Sequence, residues 1–201
     1  MKYYNQLEYE HIPYRTNVKK DIPEEQKQRN VRKSGCGLCC VCMTVDALTT
    51  ETLSIEECVR ISEECVANHA AGTDMNALAP VIAERFGLEY TKTSELSEAI
   101  EHLRCGGKII AHVGVPEGKE IGLFTKGGHY ISLIATDGKA FTILDPSYTP
   151  EKFHIPEREG RVDDADAPFL YCDVNTVHSE TKPGRVKYHL FKRKKEMRKP
   201  C

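Results

Sequence analysis

Several things this chain lacks narrow its class before any motif is read. Its net charge is close to zero, with 28 basic against 30 acidic residues in 201, so nothing in it draws a nucleic-acid partner. The opening residues, Met1-Lys2-Tyr3-Tyr4-Asn5-Gln6, hold no apolar h-region, and a secretory signal of the usual build is not expected. No window approaches the apolar length of a transmembrane helix, so no membrane partner is expected either. The compartment these absences leave as an expectation is the cytoplasm. No internal repeat is visible.

Cysteine, by contrast, is plentiful. Nine cysteines would suit a secreted disulfide framework, but the number is odd, four of them fall between positions 36 and 42, and the export signal is missing. Reduced thiols that mostly fill the core are the better expectation. The apolar share of 40% and charged share of 29% are those of an ordinary globular chain, long enough to bury a real core.

The chain divides by composition. Residues 1–33 are polar, with no sustained period, and read as an extended arm anchored by Ile12-Pro13-Tyr14. Residues 34–191 read as one domain, and 192–201 as a basic, solvated tail. Helical spacing of apolar residues runs from Cys36 to Leu48, with Val41 and Val45 on the opposite face, which predicts a helix buried nearly all round. Ser54 and Glu57 form a capping box that opens a helix to about Asn68. Asp74 is the N-cap of a third helix, interrupted by Pro80 and stopped at Gly87. Ser94 to Arg104 gives a fourth. The second half changes period. Strands are predicted at 108–113, 129–135, 139–145, 169–172 and 185–191, with a Gly-rich loop at 114–128 and a long loop at 146–168. Helices first and an antiparallel sheet after them make an α+β layout.

The chemistry concentrates at Ser34-Gly35-Cys36-Gly37. A thiol in the first turn of a helix sits at the positive end of the helix dipole, beside backbone N–H groups without partners, and both favour the thiolate. Gly35 and Gly37 carry no side chains, so they are expected to open the sulfur to a substrate backbone. Cys36-x-x-Cys39 also has the spacing of a redox pair or of half a metal site. A metal site of that kind needs a second matched cluster, and the later cysteines stand alone, so no metal or cofactor is expected.

A nucleophilic thiol needs a base, and the base needs an orienting group. Among eight histidines, His129 stands out as the polar first residue of a strand, directly after Gly127-Gly128. Asp145 ends the next strand, just before Pro146. Register decides whether they meet. A two-residue loop at Asp137-Gly138 would turn them to opposite faces of the sheet. A three-residue loop, Thr136-Asp137-Gly138, would pair Ala135 with Lys139 and set His129 opposite Asp145, with Cβ atoms within about 5.5 Å. The three-residue loop is therefore expected. Each residue also has an ordinary structural reading: a small core thiol, a polar strand start, a turn-former before proline, and for Asp74 a helix cap.

Ser-Gly-Cys-Gly opening a helix, Gly-Gly-His-Tyr opening a strand and Leu-Asp-Pro closing the next resemble the papain-like cysteine peptidases related to bacteriocin-leader processing enzymes. The likeness covers roughly residues 30–146. It implies a papain-like fold and a Cys36–His129–Asp145 triad that cleaves an amide bond of a peptide or protein through a thioester. Acyl transfer through that thioester, or a binding module with an idle site, are the other readings. The family also uses an upstream glutamine as an oxyanion donor. Here Asn30, Asn17 and Gln28 are the candidates, with the Cys36 backbone N–H as second donor. Gly128 and Asp74, with Gly35 and Gly37, are the expected cleft residues.

Overall fold

Three helices begin on the side chains that cap them. Ser54 Oγ accepts the Glu57 N–H at 3.1 Å, Asp74 Oδ1 accepts that of Asn76 at 2.9 Å, and Asp173 Oδ1 accepts those of Asn175 and Thr176. Such caps stabilise by about 1 kcal/mol each. The structure is a computed structural model that describes residues 1–16, 29–68 and 72–194. Its helices are α1 (Val31–Ser34), α2 (Cys36–Leu48), α3 (Ile55–Glu64), α4 (Met75–Arg85), α5 (Leu96–Arg104) and α6 (Val174–Ser179). The helix α4 runs on through Pro80, short of one intrahelical hydrogen bond. The expected end of α3 near Asn68 comes earlier, at Glu64, and His69 lies outside the described residues.

The strands are β1 (Leu88–Thr93), β2 (Lys108–Val113), β3 (His129–Thr136), β4 (Ala140–Leu144), β5 (Asp163–Asp166), β6 (Phe169–Asp173) and β7 (Tyr188–Arg193). They form one antiparallel sheet in the order β1-β7-β2-β3-β4-β6-β5. Helices lie on both of its faces. On one, α2 to α4 pack with Ile110, Tyr130, Leu144 and Phe191. On the other, α5 and α6 pack with Ile109, Ala111, Ile131, Leu133, Phe141 and Ile143, joined by Phe124 and Phe153 from the long loops. Alternation along each strand supplies both cores. Leu38 to Met43 are almost wholly buried, and each large apolar side chain so buried contributes about 1.5–3 kcal/mol.

Four of these helices and strands were not expected: α1, β1, β5 and α6. The strand β5 is Asp163-Asp164-Ala165-Asp166, an acidic run at the sheet edge, where charge guards against further pairing. The helix α6 is a short capped turn. The C-terminal boundary also differs. Lys192 and Arg193 pair with Glu89 and Leu88 of β1, and Lys192 Nζ lies 2.9 Å from Glu89, so the basic run starts inside the sheet. Residues 195–201 lie outside the described residues.

The expected arm is a strap. Tyr14 is fully buried, its hydroxyl within 2.8 Å of Ser62 Oγ and 2.9 Å of Thr73 Oγ1. At the other end, a 3₁₀ turn at Gln6–Glu8 lies along the segment after β4: the Gln6 N–H donates to Pro146 O and Asn5 Nδ2 to Tyr148 O.

The β3–β4 hairpin corrects the expected three-residue loop. Thr136 pairs with Phe141 and Ala135 with Thr142, then the register shifts so that Leu133 pairs with Ile143 and Ser132 with Leu144. The shift leaves Ile134 as an extra residue, a β-bulge. Gly138 does take a positive φ of 93°. Carried on without the bulge, the first register would set Asp145 across from Ser132, on the face opposite His129. The bulge restores the parity, so Asp145 falls across from Ile131, on the same face as His129 and diagonal to it.

Candidate active site

The structure gathers Cys36, His129 and Asp145 at the end of the sheet where α2 begins. His129 Nε2 lies 2.8 Å from Asp145 Oδ1 and 3.1 Å from Ser147 Oγ. That leaves Nδ1 for the Cys36 thiol, with which the ring is hydrogen-bonded. The backbone N–H groups of Tyr130 and Gly37 also point at the sulfur. His129 is 6% exposed and Asp145 wholly buried, while Cys36 keeps partial access.

Electrostatics separates this thiol from its neighbours. Burial pushes Cys36 up, but the charge and hydrogen bond of His129 and the two backbone donors outweigh it, and the thiol titrates below its ordinary value. Burial pulls His129 down, but Asp145 and the Cys36 sulfur raise it to about 9. Cys39, Cys40 and Cys42, in the same helix, are held well above the ordinary thiol range by burial. The opposed directions of the Cys36 and His129 shifts favour a thiolate beside an imidazolium.

A second layer surrounds Asp145. Lys152 Nζ bonds to Asp145 Oδ2 and, at 2.7 Å, to Ser147 Oγ, and the Ser147 N–H donates to Asp145 Oδ1 at 2.9 Å. Burial raises the Asp145 carboxyl, but Lys152 and His129 hold it well below the usual carboxylate range. Lys152 was not picked out from the sequence. It lies in the long loop, where the buried Phe153 and Arg158 fix the backbone; Arg158 donates to Gly122 O and Lys152 O, both at 3.1 Å.

The glycines beside the thiol are required by close packing within the chain. A Cβ on Gly35 would meet Val31 O at 2.6 Å, and one on Gly37 would meet Thr73 Cβ at 2.9 Å. Both are buried, and the space their missing side chains leave is filled by Val31 at Gly35 and by the Thr73 and Met75 side chains at Gly37. Asp74 caps α4, and Gly72 runs beside the Ser34 carbonyl. Gly128 is exposed beside His129.

Of the expected oxyanion amides, Asn30 caps α1, its Oδ1 accepting the Lys33 N–H at 3.1 Å. Asn17 and Gln28 lie outside the described residues. A residue passed over in the sequence ties α1 to the segment after Asp145, its N–H donating to Pro146 O. Gln6 is 7% exposed, donates through Nε2 to Arg32 O at 2.7 Å, one turn before Cys36, and leaves Oε1 without a partner. Its distance along the chain from Cys36 hid it. Among the described residues, no group of His, Cys, Asp and Glu is arranged to hold a metal ion, and no helix is long and apolar enough to cross a membrane.

The same architecture occurs in solved peptidase structures. The chain superposes on the peptidase domain of Streptococcus ComA, a bifunctional ABC transporter involved in a quorum-sensing pathway, with a TM-score of 0.51 and 13% identity. The match covers 90% of this chain and 99% of that domain. The fold is that of the C39 peptidases. A putative C39-like peptidase from Bacillus anthracis gives a TM-score of 0.53 at 10% identity, covering 81% of this chain and 90% of its own. No family model and no curated protein matches the sequence. At such identities the C39 likeness is one of fold, and the residue roles rest on this chain's own geometry.

Proposed function

We propose that the protein is a thiol-dependent peptidase that cleaves an amide bond through a thioester, with Cys36 as nucleophile, His129 as base and acid, and Asp145 as orienter. The observation that carries this reading is the chain of contacts from the Cys36 thiol at the start of α2, through the His129 ring bonded to it, to the buried Asp145 carboxylate 2.8 Å from that ring. In the proposed reaction the thiolate attacks the substrate carbonyl carbon, and the carbonyl oxygen becomes an oxyanion. His129 then gives its proton to the departing amine nitrogen as the C–N bond breaks. Water, deprotonated by His129, attacks the thioester, and the carboxylic acid leaves as the thiolate re-forms. The Cys36 backbone N–H is one oxyanion donor, and the buried Gln6 amide, held at Arg32 one turn before the thiol, is the other, through its second Nε2 hydrogen.

Iodoacetamide labelling at neutral pH tests the reading. Cys36 should be labelled far faster than buried Cys58 and faster than exposed Cys105, and His129→Ala should remove the advantage. A peptide library should then be cut by the wild type and left whole by Cys36→Ala. Labelling of Cys36 no faster than Cys58 overturns the proposal in favour of a binding module.

A further inference from the structure

On the Gly128 side of the thiol, the Lys182 ammonium and the His112 ring meet, with the Arg185 guanidinium near enough to act electrostatically on both His112 and Tyr130. A Cβ built on Gly128 would lie 2.9 Å from Lys182 Nζ and 3.6 Å from His112 Nε2, so both groups hang over the residue immediately before His129. The His112 ring stacks on Tyr130 at 4.4 Å between centroids, and the Tyr130 N–H points at the Cys36 sulfur. Lys182 is fixed by its backbone N–H, which donates to His112 O at 2.9 Å. Neither the Lys182 ammonium nor the exposed Arg185 guanidinium has an ion-pair or hydrogen-bond partner among the described residues. Burial, then Lys182 and Arg185, draw His112 down to about 4, while Asp74 opposes them. Asp74 is the carboxylate facing this wall, and its side chain also caps α4.

An unpaired ammonium next to a reacting centre is an anion site in waiting, because charge in a partly desolvated cleft acts more strongly than in bulk water. We propose that the wall formed by Lys182, Arg185 and His112 recognises a carboxylate carried by the substrate peptide close to the scissile bond. The inference rests on the peptidase reading of the same site and adds to it the chemical class of substrate. Two sources supply that chemistry: an Asp or Glu side chain, or the terminal carboxylate of a peptide cut near its end.

The test measures alkylation of Cys36 by the anionic iodoacetate and the neutral iodoacetamide, taken as a ratio, with exposed Cys105 as internal reference. The wild-type ratio should exceed that at Cys105, and Lys182→Gln combined with Arg185→Gln should lower it about five- to ten-fold, the effect of moving unit charges several ångströms from the reagent. Two probe pairs then separate the sources. Peptidyl acyloxymethyl ketones with Glu or Gln before the warhead report a side-chain carboxylate, and bromoacetyl-glycine against its amide reports a terminal one. A preference in either pair that the double variant abolishes supports the proposal. A ratio unchanged by the double variant overturns it while leaving the peptidase reading intact. Labelling of Cys36 no faster than Cys58 by either reagent overturns both.

Discussion

The first turn of α2 and the body of the same helix hold the same side chain in opposite states. Cys36, Cys39, Cys40 and Cys42 lie within two turns and are all hemmed in by protein, yet only Cys36 is drawn toward the thiolate. Burial acts on all of them in the same direction, so it does not make the difference. What differs is who stands opposite: an imidazole held by a buried carboxylate and two backbone N–H groups in one case, packed core with the neutral Ser132, Ser54 and Cys58 in the other. A reactive cysteine is thus specified by its facing partners more than by its helix.

That contrast breaks most completely at His129. His129→Ala should make Cys36 behave like its neighbours and lower peptide cleavage by about 10⁴-fold or more, read as kcat/KM. Asp145→Asn should be next. It leaves the Lys152 ammonium short of its partner, so a stability loss of about 3–5 kcal/mol in urea unfolding should accompany slower cleavage. Adding Lys152→Met should restore stability without restoring rate. Gln6→Ala should lower kcat by about 10²–10³-fold if its amide is the oxyanion donor. Asn30→Ala should instead cost about 1 kcal/mol of stability as a lost cap, with little change in rate.

Two smaller effects sharpen the comparison. Because His129 titrates at about 9, cleavage should decline as pH rises through that value and the imidazolium is lost. Alkylation of Cys36 should persist there, since the thiolate remains. Lys152→Met removes a positive charge near the ring, which favours the imidazolium, so the alkaline limb should move upward by about one pH unit. Cys40→Ala, in the helix body, should leave the rate within a few-fold and cost only the packing of a small side chain.

Much of this was legible from local patterns. Ser54, Asp74 and the Cys36–Leu48 run announce their helices because caps and periodicity are short-range signals. The Cys36, His129 and Asp145 positions stood out because glycines and a proline bracket them. Their proximity was anticipated with the wrong hairpin: the loop is longer than expected and the Ile134 bulge absorbs the difference, which no local pattern around Ile134 reveals. Gln6 and Lys152 escaped because their partners are distant in sequence or sit in an irregular loop. The charged strand β5 escaped because edge position, not composition, makes it a strand.

The strap formed by the first residues reaches the site's far side. The Tyr3 hydroxyl donates to the Asp145 carbonyl at 2.5 Å, and the backbone of Gln6 holds Pro146. Any change that loosens those few residues would therefore act on the reaction centre from a segment remote from it along the chain.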